Sequence, residues 1–147
     1  MSHSYTQNIL HVVFSTKDRA RTITPEMQPR LWAYIGGICR KEDIPLRAIG
    51  GMEDHLHLLL QLPATHSLAK TILTIKANSS SWLRESSPRF AWQKGYGAFS
   101  VSSSLLPTVE RYIHNQRAHH YKISFEDELC ALLQKHGVAY DSKYVFG

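Results

Sequence analysis

The chain predicts an α+β fold in the ferredoxin-like order, β-α-β-β-α-β with an antiparallel sheet, followed by further C-terminal helices. Two observations predict it. Four short segments, near residues 9–15, 44–49, 54–60 and 96–102, have the length and apolar character of strands. Two stretches with apolar residues at helical spacing separate the first strand from the second and the third from the fourth.

Ile9 to Ser15 opens the order, with Leu10, Val12 and Phe14 on one face and Ile9, His11 and Val13 on the other. Both faces are largely apolar, which predicts a central strand. Lys17-Asp-Arg19-Ala-Arg21 follows as a basic loop, equally suited to plain solvation and to phosphate contact. Thr24-Pro25-Glu26 then opens a helix whose buried face is Met27, Leu31, Ile35 and Ile38. Gly36-Gly37 interrupts that helix at about 1 kcal/mol each relative to alanine, and close packing on the sheet and a kink are both open. Ile44 to Ile49 is the second strand, and Gly50-Gly51 supplies a turn or bulge into the third, making a hairpin.

Ser67 caps the second helix, with Leu68, Ile72, Ile75 and Leu83 inward, Lys70 and Lys76 outward, and Ser79-Ser80-Ser81 ending its regular part. Trp82 to Lys94 follows as a loop anchored by Trp92; its aromatics and Arg84, Arg89 and Lys94 also suit stacking of unpaired bases. Tyr96 to Ser102 is the fourth strand, and Ser102-Ser103-Ser104 a short flexible link. Pro107 begins a helix over about 106–120, on which Val109, Tyr112, Ile113 and Gln116 recur at i, i+3, i+4 and i+7. A last amphipathic helix spans about 124–136 with Phe125, Leu129, Leu132 and Leu133.

At 147 residues, 43% of them hydrophobic and 20% charged, the chain is expected to be a single folded domain, its core at about 5–102. The net charge of +5 and the pI near 9.3 are compatible with a polyanionic partner. Cys39 and Cys130 lack paired metal or redox spacing, and both are expected in the core. With no apolar h-region and no apolar run of membrane-spanning length, a cytoplasmic location without membrane insertion is expected.

The chemistry concentrates in Asp54-His55-Leu56-His57-Leu58-Leu59-Leu60. On a strand His55 and His57 share one face opposite a leucine face, roughly 7 Å apart at the backbone, a spacing from which both rings can lean onto one ion. Tyr112 and Gln116 stack one turn apart on their helix, offering a nucleophile and a third, neutral oxygen ligand. Imidazole and oxygen ligands suit Mg²⁺ or Mn²⁺ in the cell. Asp54 alternates to the opposite side, as a turn cap or an auxiliary ligand. His3, His11, His66 and His136 fit ordinary hydrogen-bonded groups better than ligands.

The ordered set of Asp54-His-Leu-His-Leu-Leu-Leu60 and Tyr112-x-x-x-Gln116 resembles the single-tyrosine HUH transposases of small bacterial insertion sequences, the IS200-like proteins and their REP-associated relatives. Supporting stretches are His11-Val-Val-Phe-Ser-Thr-Lys17, Gly50-Gly51-Met52, Trp92 to Ser100, His119-His120, Ser124 to Leu129 and Tyr140 to Tyr144. Glu53, where a smaller residue or proline is expected, is the one departure.

The resemblance implies that Tyr112 cuts single-stranded DNA at hairpin-bearing element ends through a 5′-phosphotyrosine, with a divalent ion on His55, His57 and Gln116. It also implies a homodimer, and it favours docking of each Tyr112 helix on the partner's His-x-His strand, although the short link after the fourth strand allows its own sheet as well. Lys17, Arg19, Arg21, Arg111 and Arg117 are candidate DNA contacts; a solvated surface accounts for them equally well. His119 and His120 match the pattern without an assignable role. Two other classes stay open: a catalytically inactive hairpin-DNA-binding protein of the same fold, and a phosphodiesterase in which water attacks.

Overall fold

In the computed structural model, residues 4–141 and 145 are described. His3 and the Ser142 to Tyr144 part of the tail motif lie outside the described residues. Strands β1 (Ile9–Ser15), β2 (Leu46–Gly51), β3 (His55–Gln61) and β4 (Gly97–Ser100) form one antiparallel sheet in the order β2-β3-β1-β4. Helices α1 (Met27–Lys41) and α2 (Leu68–Arg84) complete the predicted ferredoxin-like order. Helices α3 (Leu106–His114), α4 (Gln116–His119) and α5 (Phe125–Lys135) follow.

The alternation of β1 and β3 divides the sheet into two buried faces. Val12, Phe14, Leu56, Leu58 and Leu60 point to one side, where Leu31, Ile35, Ile72 and Ile75 of α1 and α2 cover them. Each fully buried aliphatic side chain there contributes about 1.5–3 kcal/mol. The other face is covered in two parts. Ile113 of α3 packs on Ile9, Ala48 and Leu59, while Phe125 and Leu133 of α5 pack on Val13 and Phe99. Between these two apolar patches lie the side chains of His11, His55 and His57, since β1 aligns Val13 with His57 and Ser15 with His55.

Several elements differ from expectation for identifiable reasons. α2 runs through Ser79-Ser80-Ser81 to Arg84, with the Ser79 hydroxyl donating back to the Ile75 carbonyl at 2.6 Å and that of Ser80 to Ala77 at 3.2 Å, and with Ser79, Ser80 and Leu83 buried. Trp92 anchors the following loop as expected, its indole N–H donating to Ser79 Oγ at 3.0 Å. Lys76, expected to face outward, is half-buried and donates to the Gln93 and Gly95 carbonyls.

α1 passes Gly36-Gly37 as one helix, with only the Arg40 side chain near either glycine. The bulge falls at Leu46/Ala48 rather than at Gly50-Gly51. The serine link is a 3₁₀ turn, Ser103–Leu105. The tyrosine helix breaks at Asn115, so Tyr112 lies on α3 and Gln116 on α4. Cys39 is core, whereas Cys130 is half-buried, and both thiols are free.

Candidate active site

The two histidines of β3 are fully buried and meet Gln116, 1% exposed, from α4. Gln116 Oε1 lies 3.0 Å from His55 Nε2, while its amide nitrogen donates to Glu128 Oε2 at 3.1 Å. Tyr112 closes the group from α3, its hydroxyl donating to Glu128 Oε2. The four residues anticipated for nucleophile and metal therefore converge, and they do so within one chain.

Within the single chain the Tyr112 helix docks on its own sheet, one of the two placements open from the sequence, the other being a partner's His-x-His strand. Here α3 lies on its own β2 and β3, seated at Gly50, where an added Cβ would overlap the Ile113 carbonyl oxygen. The 3₁₀ turn after β4 keeps α3 close to its own sheet.

Glu128 of α5 was not anticipated as part of the site. It is 3% exposed, and its Oε1 lies 3.0 Å from His57 Nε2, 2.9 Å from His120 Nε2 and 3.4 Å from His55 Nε2. Burial opposes ionisation of this carboxyl, but hydrogen bonds from His120 and His57 outweigh it and hold the group well below the usual carboxylate range. Burial, reinforced by the charge of Glu128, pushes the Tyr112 hydroxyl above its ordinary value near 10. Burial likewise keeps His57 neutral, the attraction of Glu128 offsetting only part of the effect.

A signal for Glu128 was present in the sequence. Phe125, Glu128, Leu129, Leu132 and Leu133 fall at i, i+3, i+4, i+7 and i+8, so a carboxylate occupies the apolar stripe of α5. An unpaired charge there would be strongly destabilising. His11, set aside as a ligand, packs against His57 with Nε2 2.7 Å from His57 Nδ1.

His55, His57, His120 and Glu128 each place one donor atom within 4.8 Å of the other three. The outer nitrogens are also engaged: His55 Nδ1 faces Asp54 Oδ1 at 2.8 Å, His57 Nδ1 faces His11 Nε2, and His120 Nδ1 faces the Ile123 carbonyl at 2.6 Å. Acceptors on Nδ1 are what a metal-binding imidazole requires, because they hold the proton on the far nitrogen and leave the Nε2 lone pair for the ion. A proton on His55 Nδ1, facing Asp54, would turn an Nε2 lone pair toward Gln116 Oε1 at 3.0 Å, an arrangement that a cation between them would satisfy. His119 Nε2 is buried at 3.3 Å from Glu128 Oε2 without making a hydrogen bond. The donor set fits a divalent cation. Asp54 orients His55 and stays outside the cluster.

The basic residues divide. Arg21 and Arg117 both pair with Glu53, the latter at 2.7 Å, and Gln28 donates to the same carboxylate at 3.2 Å. Glu53, the departure from the family pattern, thus ties α4 to the turn before the His-x-His strand. Arg19 pairs with Glu126 of α5 at 3.2 Å. Lys17 and Arg111 are exposed. Beside Tyr112 a surface cavity opens, lined also by His119, Ile123, Glu128, Leu132 and Lys135.

A four-stranded antiparallel sheet presenting paired histidines beside a tyrosine and a glutamine agrees with the family that the motifs resemble. The chain matches the family model described as "Transposase IS200 like" over residues 4–116, and it belongs to that family. Its fold is similar to that of a candidate transposase from Deinococcus radiodurans R1, at TM-score 0.65 and 22% identity over 79% of this chain and 95% of that one. It is also similar to a REP-associated tyrosine transposase bound to a REP hairpin, at TM-score 0.63 and 15% identity over 97% of this chain and 92% of the other. No curated protein matches the chain. Among the described residues no helix is long and apolar enough to cross a membrane.

Proposed function

We propose that the protein cuts and rejoins single-stranded DNA at hairpin-bearing element ends through a 5′-phosphotyrosine on Tyr112, aided by Mg²⁺ or Mn²⁺ held by His55, His57 and Gln116. The observation that carries this reading is that the Tyr112 hydroxyl and the three ligand side chains converge on one buried carboxylate. The family supports a transposase role, and the hairpin-bound neighbour supports a DNA hairpin as partner.

The ion, when bound, would offset charge on the phosphodiester and polarise its phosphorus. The chain's own residues do the rest. Tyr112 enters from the cavity side, and its oxygen bonds to phosphorus while the bond to the 3′-oxygen breaks. That oxygen leaves with the electron pair and takes up a proton. The phenolic proton, held in the resting site toward Glu128, must depart as the new bond forms. Burial of the histidines and Gln116 limits water at the reacting centre, favouring rejoining over hydrolysis. The ester energy stays in the phosphotyrosine, so a second 3′-hydroxyl can reclaim the 5′ end without ATP. Each chain carries a complete constellation, and a homodimer would bring two such sites to two DNA ends. Exposed Lys17 and Arg111, with Arg19, Arg21 and Arg117, are the proposed backbone contacts.

The test is covalent capture. With Mn²⁺ and single-stranded end DNA, wild-type protein should yield an adduct stable on denaturing gels, and Tyr112→Phe should yield none. Cleavage to free 5′-phosphate without an adduct would instead assign the attack to water.

A further inference from the structure

We infer that Glu128 and His120 are themselves ligands of the divalent cation, adding a third imidazole and a carboxylate carried on α5 to His55, His57 and Gln116. This rests on the proposed metal-assisted reading and extends its ligand set beyond the β3 histidines and Gln116.

The geometry carries the assignment. Four ligands around one ion at about 2.1 Å stand roughly 3–3.5 Å from one another, and Glu128 Oε1 stands 2.9, 3.0 and 3.4 Å from the Nε2 atoms of His120, His57 and His55. These contacts are hydrogen bonds or close approaches while the imidazoles carry a proton on Nε2. Moving that proton to Nδ1 converts the cluster into a ligand set with little movement of heavy atoms, and each Nδ1 already has a group to receive it: Asp54, His11 and the Ile123 carbonyl.

Glu128 is also held in place. Ser124 caps the start of α5, accepting from the Asp127 amide at 3.2 Å. Phe125 stacks on the His55 ring at 4.4 Å, and Leu133 packs with Val13 and Phe99. A carboxylate held between Phe125, one turn before it, and Leu133 after it stays within ligating distance when a cation enters, and its charge then opposes that of the ion directly.

The two carboxylate oxygens have separate partners. Oε1 faces the imidazoles, whereas Oε2 receives the Tyr112 hydroxyl and the Gln116 amide. Ligation through Oε1 leaves Oε2 to position Tyr112 beside the ion. A nitrogen-rich set of this kind suits Mn²⁺ over Mg²⁺, which prefers oxygen ligands and retained waters.

The experiment is calorimetric titration of the full chain with MnCl₂ in the absence of DNA, comparing wild type with Glu128→Gln, His120→Asn and, as a control on the same helix, Glu126→Gln. Circular dichroism and thermal melting establish that each variant is folded. Ligation predicts that Glu128→Gln and His120→Asn each bind Mn²⁺ at least tenfold more weakly, with Glu126→Gln unchanged. It also predicts that a tenfold excess of Mg²⁺ leaves Mn²⁺ bound.

Unchanged or tighter binding in Glu128→Gln would overturn the inference and make Glu128 an occupant that the ion displaces. The two-histidine reading survives that result if His57→Ala still abolishes Mn²⁺ binding. If Glu128→Gln does not fold, His120→Asn decides, because His120 lies outside any helix. Wild-type protein that binds no Mn²⁺ also overturns the inference, and the Tyr112 reading then stands or falls separately on the DNA adduct.

Discussion

Gly50→Ala tests whether the Tyr112 helix works where it lies. An added Cβ at Gly50 overlaps the Ile113 carbonyl oxygen and stands 3.1 Å from its carbon and 3.3 Å from Ile113 Cγ2. Carbon and carbonyl oxygen sit comfortably at roughly 3.3–3.6 Å, so α3 must move away from β2 by about 1 Å. Neither partner can yield locally, since one is strand backbone and the other helix backbone.

Overpacking of this kind destabilises by about 1–3 kcal/mol. Tyr112 precedes Ile113 and moves with it. A reacting group displaced by about 1 Å loses on the order of 10²-fold in rate, so adduct formation by Gly50→Ala should fall about that far while the protein stays folded. Initial rates of adduct formation with single-stranded end DNA, alongside a urea melt, separate the two effects. Adduct formation at the wild-type rate by folded Gly50→Ala would refute the reasoning, because Tyr112 would then act from somewhere other than its seat on β2.

Mixing Tyr112→Phe with His57→Ala under subunit exchange should restore no adduct, because each chain here brings its own Tyr112 to its own His57; recovered activity in verified heterodimers would establish sharing between subunits. His11→Phe should weaken Mn²⁺ binding and cleavage by about 10–100-fold through loss of the partner on His57 Nδ1, measured by calorimetry and adduct yield.

Acid should destabilise the fold partly through His11. Burial, aided by neighbouring His57, lowers its pKa to about 3 from 6.5. Between those values the unfolded chain holds a proton the native one lacks, so this contribution is complete above about pH 6.5 and declines as pH falls, by about 1.4 kcal/mol per unit. Urea midpoints at pH 6.5 and 4.5 should therefore differ less in His11→Phe. Arg111→Ala should weaken DNA binding across sequences and reduce its salt dependence, with little effect on urea stability; filter binding at several salt concentrations measures it.

Much of this protein is legible without coordinates. The four strands and two intervening helices follow from local periodicity, and local periodicity is a property of neighbouring residues. The same holds for the shared face of His55 and His57, a consequence of strand geometry, whereas Tyr112 and Gln116 meet across the break at Asn115. The element ends and the persistence of α2 through three serines are not legible locally, because hydroxyls that favour turns in isolation here bond back to the helix, where Trp92 donates to Ser79.

What needed the tertiary structure was everything that depends on which distant segments meet. Gly50 looked like a turn residue and is a seat for α3, a distinction visible only once Ile113 stands against it. Glu53 looked like an incidental departure and joins Arg21 to Arg117 across the mouth of the His-x-His hairpin. Glu128 looked like one acid among several on an amphipathic helix. Its identity as the group facing three imidazoles and Tyr112 depends on α5 lying across β1 and β4, and that placement is decided by apolar burial among Phe125, Leu133, Val13 and Phe99, residues more than a hundred positions apart in the chain at their extremes.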